Sequence, residues 1–133
     1  MSGSVAYLDT SAFLKLIVVE PESDALADAL GPWSSFASAS LVRTEATRAL
    51  RRSGHGELVG EARRLLGGLH LVRLDDPLLD RAGDLDPPTV GSLDAVHLAA
   101  ALALGPDLGV LFTYDHRLWD AAAGQGLDCS APG

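Results

Sequence analysis

Short apolar segments typical of buried strands alternate along the chain with segments in which apolar residues follow a helical spacing. The predicted strands are residues 5–8, 34–38, 70–74 and 109–113. The predicted helices are residues 12–19, 25–30, 40–53, 57–66, 77–83, 92–104 and 118–123. Strands separated by helices favour a parallel sheet covered on both faces. We therefore expect an α/β fold, a three-layer α/β/α sandwich with a mainly parallel central sheet of about four strands.

The composition indicates one globular domain over residues 1–133, with flexible ends at 1–4 and 130–133. Hydrophobic residues make up 47% of the chain and charged residues 21%, which is enough apolar material for a single core. Cys129 is the one cysteine, so no intrachain disulfide is expected and a reducing compartment is indicated. The sequence shows no secretory leader and no apolar run of about 20 residues. We expect a cytoplasmic protein with no membrane segment.

Four acidic residues stand where predicted strands end or helices begin: Asp9, Glu45, Asp94 and Asp115. Parallel strands direct such positions to one edge of a sheet, where ligands collect. Two unit charges about 5 Å apart repel by about 3 kcal/mol at an effective dielectric of about 20. Four converging carboxylates therefore call for a cation or for bound protons.

The types of residue in this set favour a hard divalent ion. The ligands would be oxygens only, without a partnering cysteine or a closely spaced histidine pair, which indicates Mg²⁺, with Mn²⁺ as a substitute, and argues against zinc. Beside a phosphate, such an ion activates water and neutralises charge, which is the chemistry of phosphodiester hydrolysis. One ion or two would be compatible with four carboxylates.

The charge distribution bears on nucleic-acid binding. A formal net charge of −8 disfavours broad nonspecific binding to phosphate backbones. Most basic residues nevertheless fall in the middle third of the chain, namely Arg43, Arg48, Arg51, Arg52, Arg63, Arg64, Arg73 and Arg81. A basic flank beside an acidic cluster suits metal-dependent nuclease chemistry, although solvated helix faces give the same pattern.

Four segments carry a resemblance to a known family. They are residues 7–12 (Tyr-Leu-Asp-Thr-Ser-Ala), 44–50 (Thr-Glu-Ala-Thr-Arg-Ala-Leu), 92–101 (Ser-Leu-Asp-Ala-Val-His-Leu-Ala-Ala-Ala) and 112–118 (Phe-Thr-Tyr-Asp-His-Arg-Leu). In order and spacing they resemble the four acidic motifs of the PIN-domain family, and the chain length is similar to that of VapC-type toxins of bacterial toxin–antitoxin modules. The resemblance extends from residue 5 to about residue 128.

The resemblance implies roles for individual residues. Asp9 and Asp94 would be the principal metal ligands, Glu45 a third carboxylate and Asp115 a fourth, more weakly engaged one. Thr10 or Ser11 and Thr113 resemble the hydroxyls that orient ligands or water. Apart from the resemblance, Arg117 is placed just after Asp115 to touch phosphate, although it can instead pair with Asp120.

The same resemblance implies an activity and partners. VapC-type proteins are Mg²⁺-dependent endoribonucleases, silenced by a small VapB-type antitoxin and usually dimeric. RNA would thus be the substrate, and a homodimer is expected. The first helices, around Phe13, Leu16, Ile17 and Leu26, are the predicted groove for the antitoxin.

Structural roles for the four acids remain open at this stage. The predicted N-caps are Thr10 or Ser11 for the first helix and Ser92 for the helix that carries Asp94. Asp9 and Asp115 are also suitable N-caps, since aspartate is favoured there. Asp94 gains from the helix dipole whatever its function, and Glu45 can pair with Arg48 or Arg52. His97, three residues after Asp94, is interpreted as a packed core histidine in preference to a metal ligand or general base.

Two other functions compete with the nuclease. One is a non-catalytic binding module of the same fold, in which the acidic edge docks an arginine of a partner protein. The other is a phosphorylated receiver domain, which would want a late lysine, whereas the only lysine is Lys15. Retention of all four acids favours catalysis over docking.

Overall fold

The computed structural model describes residues 3–133 and shows a five-stranded, entirely parallel sheet. The strands are β1 (Val5–Leu8), β2 (Ser35–Ala39), β3 (His70–Val72), β4 (Leu108–Phe112) and β5 (Cys129–Ser130), in the spatial order β3-β2-β1-β4-β5. Each pair of neighbours is parallel. From β1 the chain adds β2 and β3 on one side of the sheet and then β4 and β5 on the other. The strand order therefore reverses between β1 and β4. This reversal is where ligands bind in open α/β sheets.

Seven α-helices connect and cover the strands. They are α1 (Thr10–Lys15), α2 (Ser23–Leu30), α3 (Val42–Arg52), α4 (Val59–Leu66), α5 (Asp76–Gly83), α6 (Ser92–Ala103) and α7 (His116–Gly124). Short 3₁₀ turns precede α4 and β4. Within residues 3–133, no helix has both the length and the apolar character required to cross a membrane.

Apolar side chains on the two faces of the sheet build a three-layer sandwich. On one face, Tyr7 and Leu111 pack with α5, α6 and α7. On the opposite face, Leu8 and Phe112 pack with α1 and α2, while α3 and α4 join through a further cluster with α1. Because neighbouring strand residues point to opposite faces, each strand supplies both layers. The predicted α/β/α sandwich is confirmed.

Helix α6 is the most deeply buried helix of the fold. Half of its twelve residues are buried, and they include four alanines together with Leu98 and His97. Small side chains bring the helix backbone close to the sheet, and an apolar surface on all sides is typical of a helix enclosed by protein. The first turn of α6 is thereby fixed against the sheet edge that follows β1.

The structure differs from the sequence-based prediction at the C-terminal end of the chain. The sheet has a fifth strand, β5, which is only two residues long and carries no apolar run that a pattern would reveal. The predicted flexible C-terminal segment includes Ser130 of β5, and the carbonyl oxygen of Pro132 accepts a hydrogen bond from the Tyr114 hydroxyl at 2.7 Å. The other predicted flexible end includes Met1 and Ser2, which lie outside the described residues.

Two predicted helix caps are wrong. Asp9, rather than Thr10 or Ser11, caps α1, because its carboxylate reaches the amide of Ala12 and its extended backbone ends β1. Helix α6 begins after Gly91 without a side-chain cap, so Ser92 is already its first residue. The first helix consequently starts two residues earlier than predicted.

The predicted apolar groove is also wrong. Phe13, Ile17 and Leu26 are buried in the core, where they hold α1 and α2 in place, and are therefore not open to a partner. An open groove of ≈ 320 Å³ lies beside them between α1 and α3, lined by Leu14, Val18, Glu20, Ala49, Leu50, Ser53 and His55.

Candidate active site

The four predicted acids all belong to the edge of the sheet at which the parallel strands end. Asp9 follows β1 directly, and Asp115 follows β4 after two residues. Glu45 and Asp94 lie in the first turns of α3 and α6. These positions surround the reversal of strand order between β1 and β4, so the topology brings the four acids to one region.

Asp9 is almost entirely buried, with 4% of its surface exposed. Its Oδ1 accepts hydrogen bonds from the Ser11 hydroxyl at 2.6 Å and the Ala12 amide at 2.9 Å, and its Oδ2 accepts one from the Thr113 hydroxyl at 2.6 Å. Burial raises the pKa of Asp9 above its ordinary value of 3.8, and these hydrogen bonds offset part of the increase. The carboxylate is held firmly, in surroundings that penalise its charge.

Two hydroxyl groups bridge the segment after β1 and the segment after β4. Thr113, which is fully buried, donates to Asp9 and accepts from the Asp115 amide at 3.0 Å. Ser11 likewise donates to Asp9 and accepts from the Tyr114 amide at 2.9 Å. Because each hydroxyl both donates and accepts, the positions of Asp9 and Asp115 depend on each other.

The pKa of Asp94 responds to the charges of the other three acids. Its pKa is raised first by partial burial and then by the negative charges of Asp115, Asp9 and Glu45, with His97 acting in the opposite direction. Together with Asp115, it lines an open cleft of ≈ 540 Å³ whose other walls are Ser11, Tyr114, His116 and Arg117. The cleft thus joins two of the acids to solvent, where a polymeric substrate has access.

Glu45 belongs to a separate hydrogen-bonded group. Its Oε1 accepts from the Thr10 hydroxyl at 2.6 Å and lies 2.7 Å from His97 Nε2. On the other side of the ring, His97 Nδ1 lies 2.7 Å from the hydroxyl of Tyr7. Burial acts to raise the pKa of Glu45, but the hydrogen bonds from His97 and Thr10 outweigh it and lower the pKa below its ordinary value.

The donor set suits a hard divalent cation held partly by water. Among residues 3–133, no three Asp, Glu, His or Cys side chains are grouped closely enough to form a ready-made metal cage. Asp9, Glu45 and Asp115 nevertheless lie near enough to Asp94 for their negative charges to raise its pKa. The carboxylate oxygens of the site already accept several hydrogen bonds from the protein. They therefore suit an ion such as Mg²⁺, which retains several waters and takes few carboxylates.

Helix capping accounts for part of the bonding of two acids. Asp9 caps α1 and Asp115 caps α7, where the carboxylate accepts from the amides of Arg117 and Leu118. Asp115 Oδ2 has no hydrogen bond among the described residues. The cap of Asp115 thus leaves one carboxylate oxygen available for another role, whereas both oxygens of Asp9 already accept hydrogen bonds.

The remaining alternatives can be compared with the contacts. In residues 3–133, Glu45 forms no ion pair with Arg48 or Arg52 and is bonded instead to His97 and Thr10. His97 is buried, as expected, but makes three polar contacts where a packed core residue needs only one. Arg117 is exposed, and the described part of the chain offers it no ion pair, including with Asp120.

Tyr7 is the residue of this site that sequence reasoning missed. It lies in an apolar strand, which predicts a core residue. Its ring packs edge-on against that of His97, with 5.9 Å between the ring centroids. The available signal was the strand period of two, which places Tyr7 and Asp9 on the same face. The helical period likewise places His97 beside Asp94.

Comparisons with known proteins agree with this fold. The family model described as PIN domain matches residues 6–124. Ribonuclease VapC46 of Mycobacterium tuberculosis is 48% identical over 126 residues, which cover 95% of this chain and 96% of that protein. Ribonuclease VapC47 of the same species is 38% identical over 131 residues, covering 96% of each chain.

Solved structures show the same fold at low sequence identity. A crystal structure of VapBC2 from Rickettsia felis, bound to a DNA fragment from their promoter, aligns with a TM-score of 0.73 and 16% identity, covering 97% of this chain and 99% of that one. The M. tuberculosis toxin VapC20, described as cleaving the sarcin-ricin loop, aligns with the same TM-score and identity, covering 87% of this chain and 94% of that one.

The chain therefore belongs to the PIN-domain family. Within that family its relatives place it among the VapC-type proteins.

Proposed function

We propose that this protein is a Mg²⁺-dependent endoribonuclease that hydrolyses RNA phosphodiester bonds and acts as the toxin of a toxin–antitoxin pair. The observation that carries the proposal is the position of Asp9, Glu45, Asp94 and Asp115 after parallel strands or in the first turns of α3 and α6, beside an open cleft. Relatives named ribonucleases, at 48% and 38% identity, support RNA as the substrate.

The proposed mechanism assigns a task to each acid. Asp9 and Asp94 would be the principal metal ligands, with Glu45 and Asp115 completing the set directly or through water. When bound, the cation would supply charge neutralisation and an activated water. Thr113 and Ser11 hold the Asp9 carboxylate still, and Thr10 holds that of Glu45, so these ligands would need little reorganisation in the transition state.

The partners follow from the relatives. A solved neighbour is a VapBC complex, which supports a VapB-type antitoxin as the partner of this chain. The open groove between α1 and α3 is the apolar surface that we assign to it. We also propose a homodimer and a cytoplasmic location, where RNA would be accessible.

The test is expression of the protein alone in cells, followed by mapping of new RNA 5′ ends. We expect a small set of new ends that are absent when the Asp94→Asn variant is expressed at the same level. Purified protein should produce the same ends in the presence of Mg²⁺ or Mn²⁺. Absence of new ends both in cells and with purified protein would contradict the ribonuclease and favour the non-catalytic binding module.

Replacing Arg117 by alanine is expected to raise KM for RNA. Its guanidinium group lines the acidic cleft and has no ion pair within residues 3–133, so a substrate phosphate is its natural partner. A hydrogen bond to a charged group contributes about 1.5–3 kcal/mol, which corresponds to about a 10–100-fold loss in kcat/KM. The measurement is steady-state cleavage of an RNA oligonucleotide that contains the mapped site.

Arg63→Ala is the matched control for this prediction. Arg63 is exposed on α4, and its removal changes the net charge by the same amount as removal of Arg117. We expect less than about a twofold change, since a single surface charge acts only through weak screened fields. Equal effects of the two variants would mean that Arg117 contributes only its charge to a general field.

A further inference from the structure

A buried chain of hydrogen bonds links the core of the sheet to Glu45. It begins at the Tyr7 hydroxyl, passes through both ring nitrogens of His97, and ends at Glu45 Oε1, with a distance of 2.7 Å at each step. Tyr7 is fully buried and His97 is 3% exposed, whereas the side chain of Glu45 is 20% exposed. This series of hydrogen bonds therefore runs from the interior outward and ends on a carboxylate of the candidate site.

The direction of the hydrogen bonds follows from the groups involved. An ionised Glu45 can only accept, so His97 Nε2 must carry a hydrogen and donate to it. In the neutral ring, Nδ1 then accepts from the Tyr7 hydroxyl, and in the charged ring Nδ1 donates to the same oxygen. Nε2 donates to Glu45 in either state, so the arrangement does not depend on protonation of the ring.

The contacts leave one oxygen of Glu45 available. His97 Nε2 and the Thr10 hydroxyl both converge on Oε1, and within the described residues Oε2 makes no hydrogen bond. Two donors on one oxygen fix the rotation of the carboxylate, and the second oxygen is then presented in a fixed direction. Groups that orient metal ligands in this way commonly change metal affinity by 10–100-fold when they are removed.

We propose that Tyr7 and His97 form a positioning relay that holds the Glu45 carboxylate with Oε2 presented to the divalent cation of the site. Both are positioning residues, because neither would touch the ion or the RNA. This inference rests on the proposed function for its metal, but it concerns Tyr7 and His97, which are not among the four acids assigned to the ion.

The experiment measures Mn²⁺ binding by isothermal titration calorimetry, without RNA, for Tyr7→Phe, His97→Ala and His97→Gln. We expect the dissociation constant to rise about 10–100-fold in His97→Ala. Tyr7→Phe should give a smaller increase, of about 3–10-fold, because it removes only the distant hydroxyl and leaves the donor to Glu45 in place. His97→Gln should recover part of the loss, because its amide can donate near the position of Nε2.

A double-mutant cycle separates positioning from a loss of core packing. If the relay acts through Glu45, then Tyr7→Phe and His97→Ala should change Mn²⁺ affinity less than about twofold in a Glu45→Ala background. Thermal unfolding identifies variants that are destabilised at the temperature of the titration. If His97→Ala is destabilised in this way, the comparison of Tyr7→Phe with and without Glu45→Ala decides between positioning and packing, because Tyr7→Phe deletes a single oxygen from the fold.

The outcomes are distinguishable from those that test the ribonuclease. Unchanged Mn²⁺ affinity in folded Tyr7→Phe and His97→Ala, or equal losses with and without Glu45, would overturn the relay even if wild-type protein cleaves RNA. Loss of affinity that disappears in the Glu45→Ala background would support the relay even if no RNA substrate is cleaved. The titration thus decides the relay, and the mapping of RNA ends decides the ribonuclease.

Discussion

Replacing Asp94 by asparagine is expected to abolish RNA cleavage while leaving the protein at least as stable as the wild type. A metal ion contributes several kcal/mol of charge stabilisation to a phosphodiester transition state, so loss of a principal ligand should cost about 10³-fold or more in kcat/KM. Partial burial and three like charges raise the pKa of Asp94, which means that its ionised form is disfavoured in the fold. Asparagine removes that charge with almost no change of shape.

The measurement combines single-turnover cleavage with thermal unfolding at neutral pH in the absence of added metal. We expect no detectable cleavage and an unchanged or higher Tm, which is the pattern of a residue retained for activity at some expense of stability. A folded Asp94→Asn variant that cleaves within tenfold of wild type would remove Asp94 from the metal site.

Asp75→Asn is the matched control, because Asp75 is an N-cap that neither lines the acidic cleft nor acts on the pKa of Asp94. It accepts from the Leu78 amide at 3.0 Å at the start of α5. Asparagine is as good a cap as aspartate, so we expect wild-type cleavage and a small change in Tm. Both variants remove one negative charge, so a difference in cleavage between them reports the position of that charge in the molecule.

Removal of divalent ions is expected to abolish cleavage, and their return should both restore it and stabilise the fold. Mg²⁺ at ten times its dissociation constant would add about 1.4 kcal/mol to the free energy of unfolding. For a domain of this size that corresponds to an increase of about 3–8 °C in Tm. The measurement is thermal unfolding with EDTA and with increasing Mg²⁺ or Mn²⁺, alongside cleavage under the same conditions.

The stabilisation by Mg²⁺ should increase with pH, because the pKa values of Asp9 and Asp94 are raised in the folded protein. For such groups, the contribution to stability is fully present below the unfolded pKa and is lost as the pH rises through the folded pKa. The metal-free protein therefore loses this part of its stability above the ordinary aspartate value of 3.8. In that pH range a bound cation would compensate the negative charges of the ionised carboxylates.

Glu45 acts in the opposite direction. Its pKa is lowered, so its contribution is present above the unfolded pKa and is lost as the pH falls through the folded pKa. The measurement is the Tm increase with Mg²⁺ as a function of pH, and an increase that does not grow anywhere above the ordinary aspartate value of 3.8 would show that Asp9 and Asp94 are not the groups that bind the ion.

The sequence predicted the architecture because its strands and helices carry strong, separate periodicities. Residues 109–113 and 92–104 fall within one or two residues of β4 and α6. The fifth strand could not be predicted, since it carries no apolar pattern of its own. It joins the sheet through hydrogen bonds that the amides of Leu111 and Thr113 donate to the carbonyl oxygens of Asp128 and Ser130. Such a strand is defined by its neighbour rather than by its own residues.

The site was predictable in its acids and much less so in its hydrogen bonds. Asp9 and Asp94 stand out because a charge that interrupts an apolar stretch is visible in sequence. The contact between Tyr7 and His97 spans 90 positions along the chain, and each residue separately looks like ordinary core. Only the packing of α6 on β1 brings them together, and that depends on how closely an alanine-rich helix approaches the sheet.

Three consecutive side chains at the start of α1 connect β1 to two other parts of the chain. Asp9 accepts from Thr113 and Ser11 accepts from the amide of Tyr114, both in the segment after β4, whereas Thr10 donates to Glu45 on α3. An inserted or deleted residue here would rotate every later side chain by about 100° around the helix axis. This one turn therefore keeps α3 and the segment after β4 in register with β1, and a change in its length would break both connections at once.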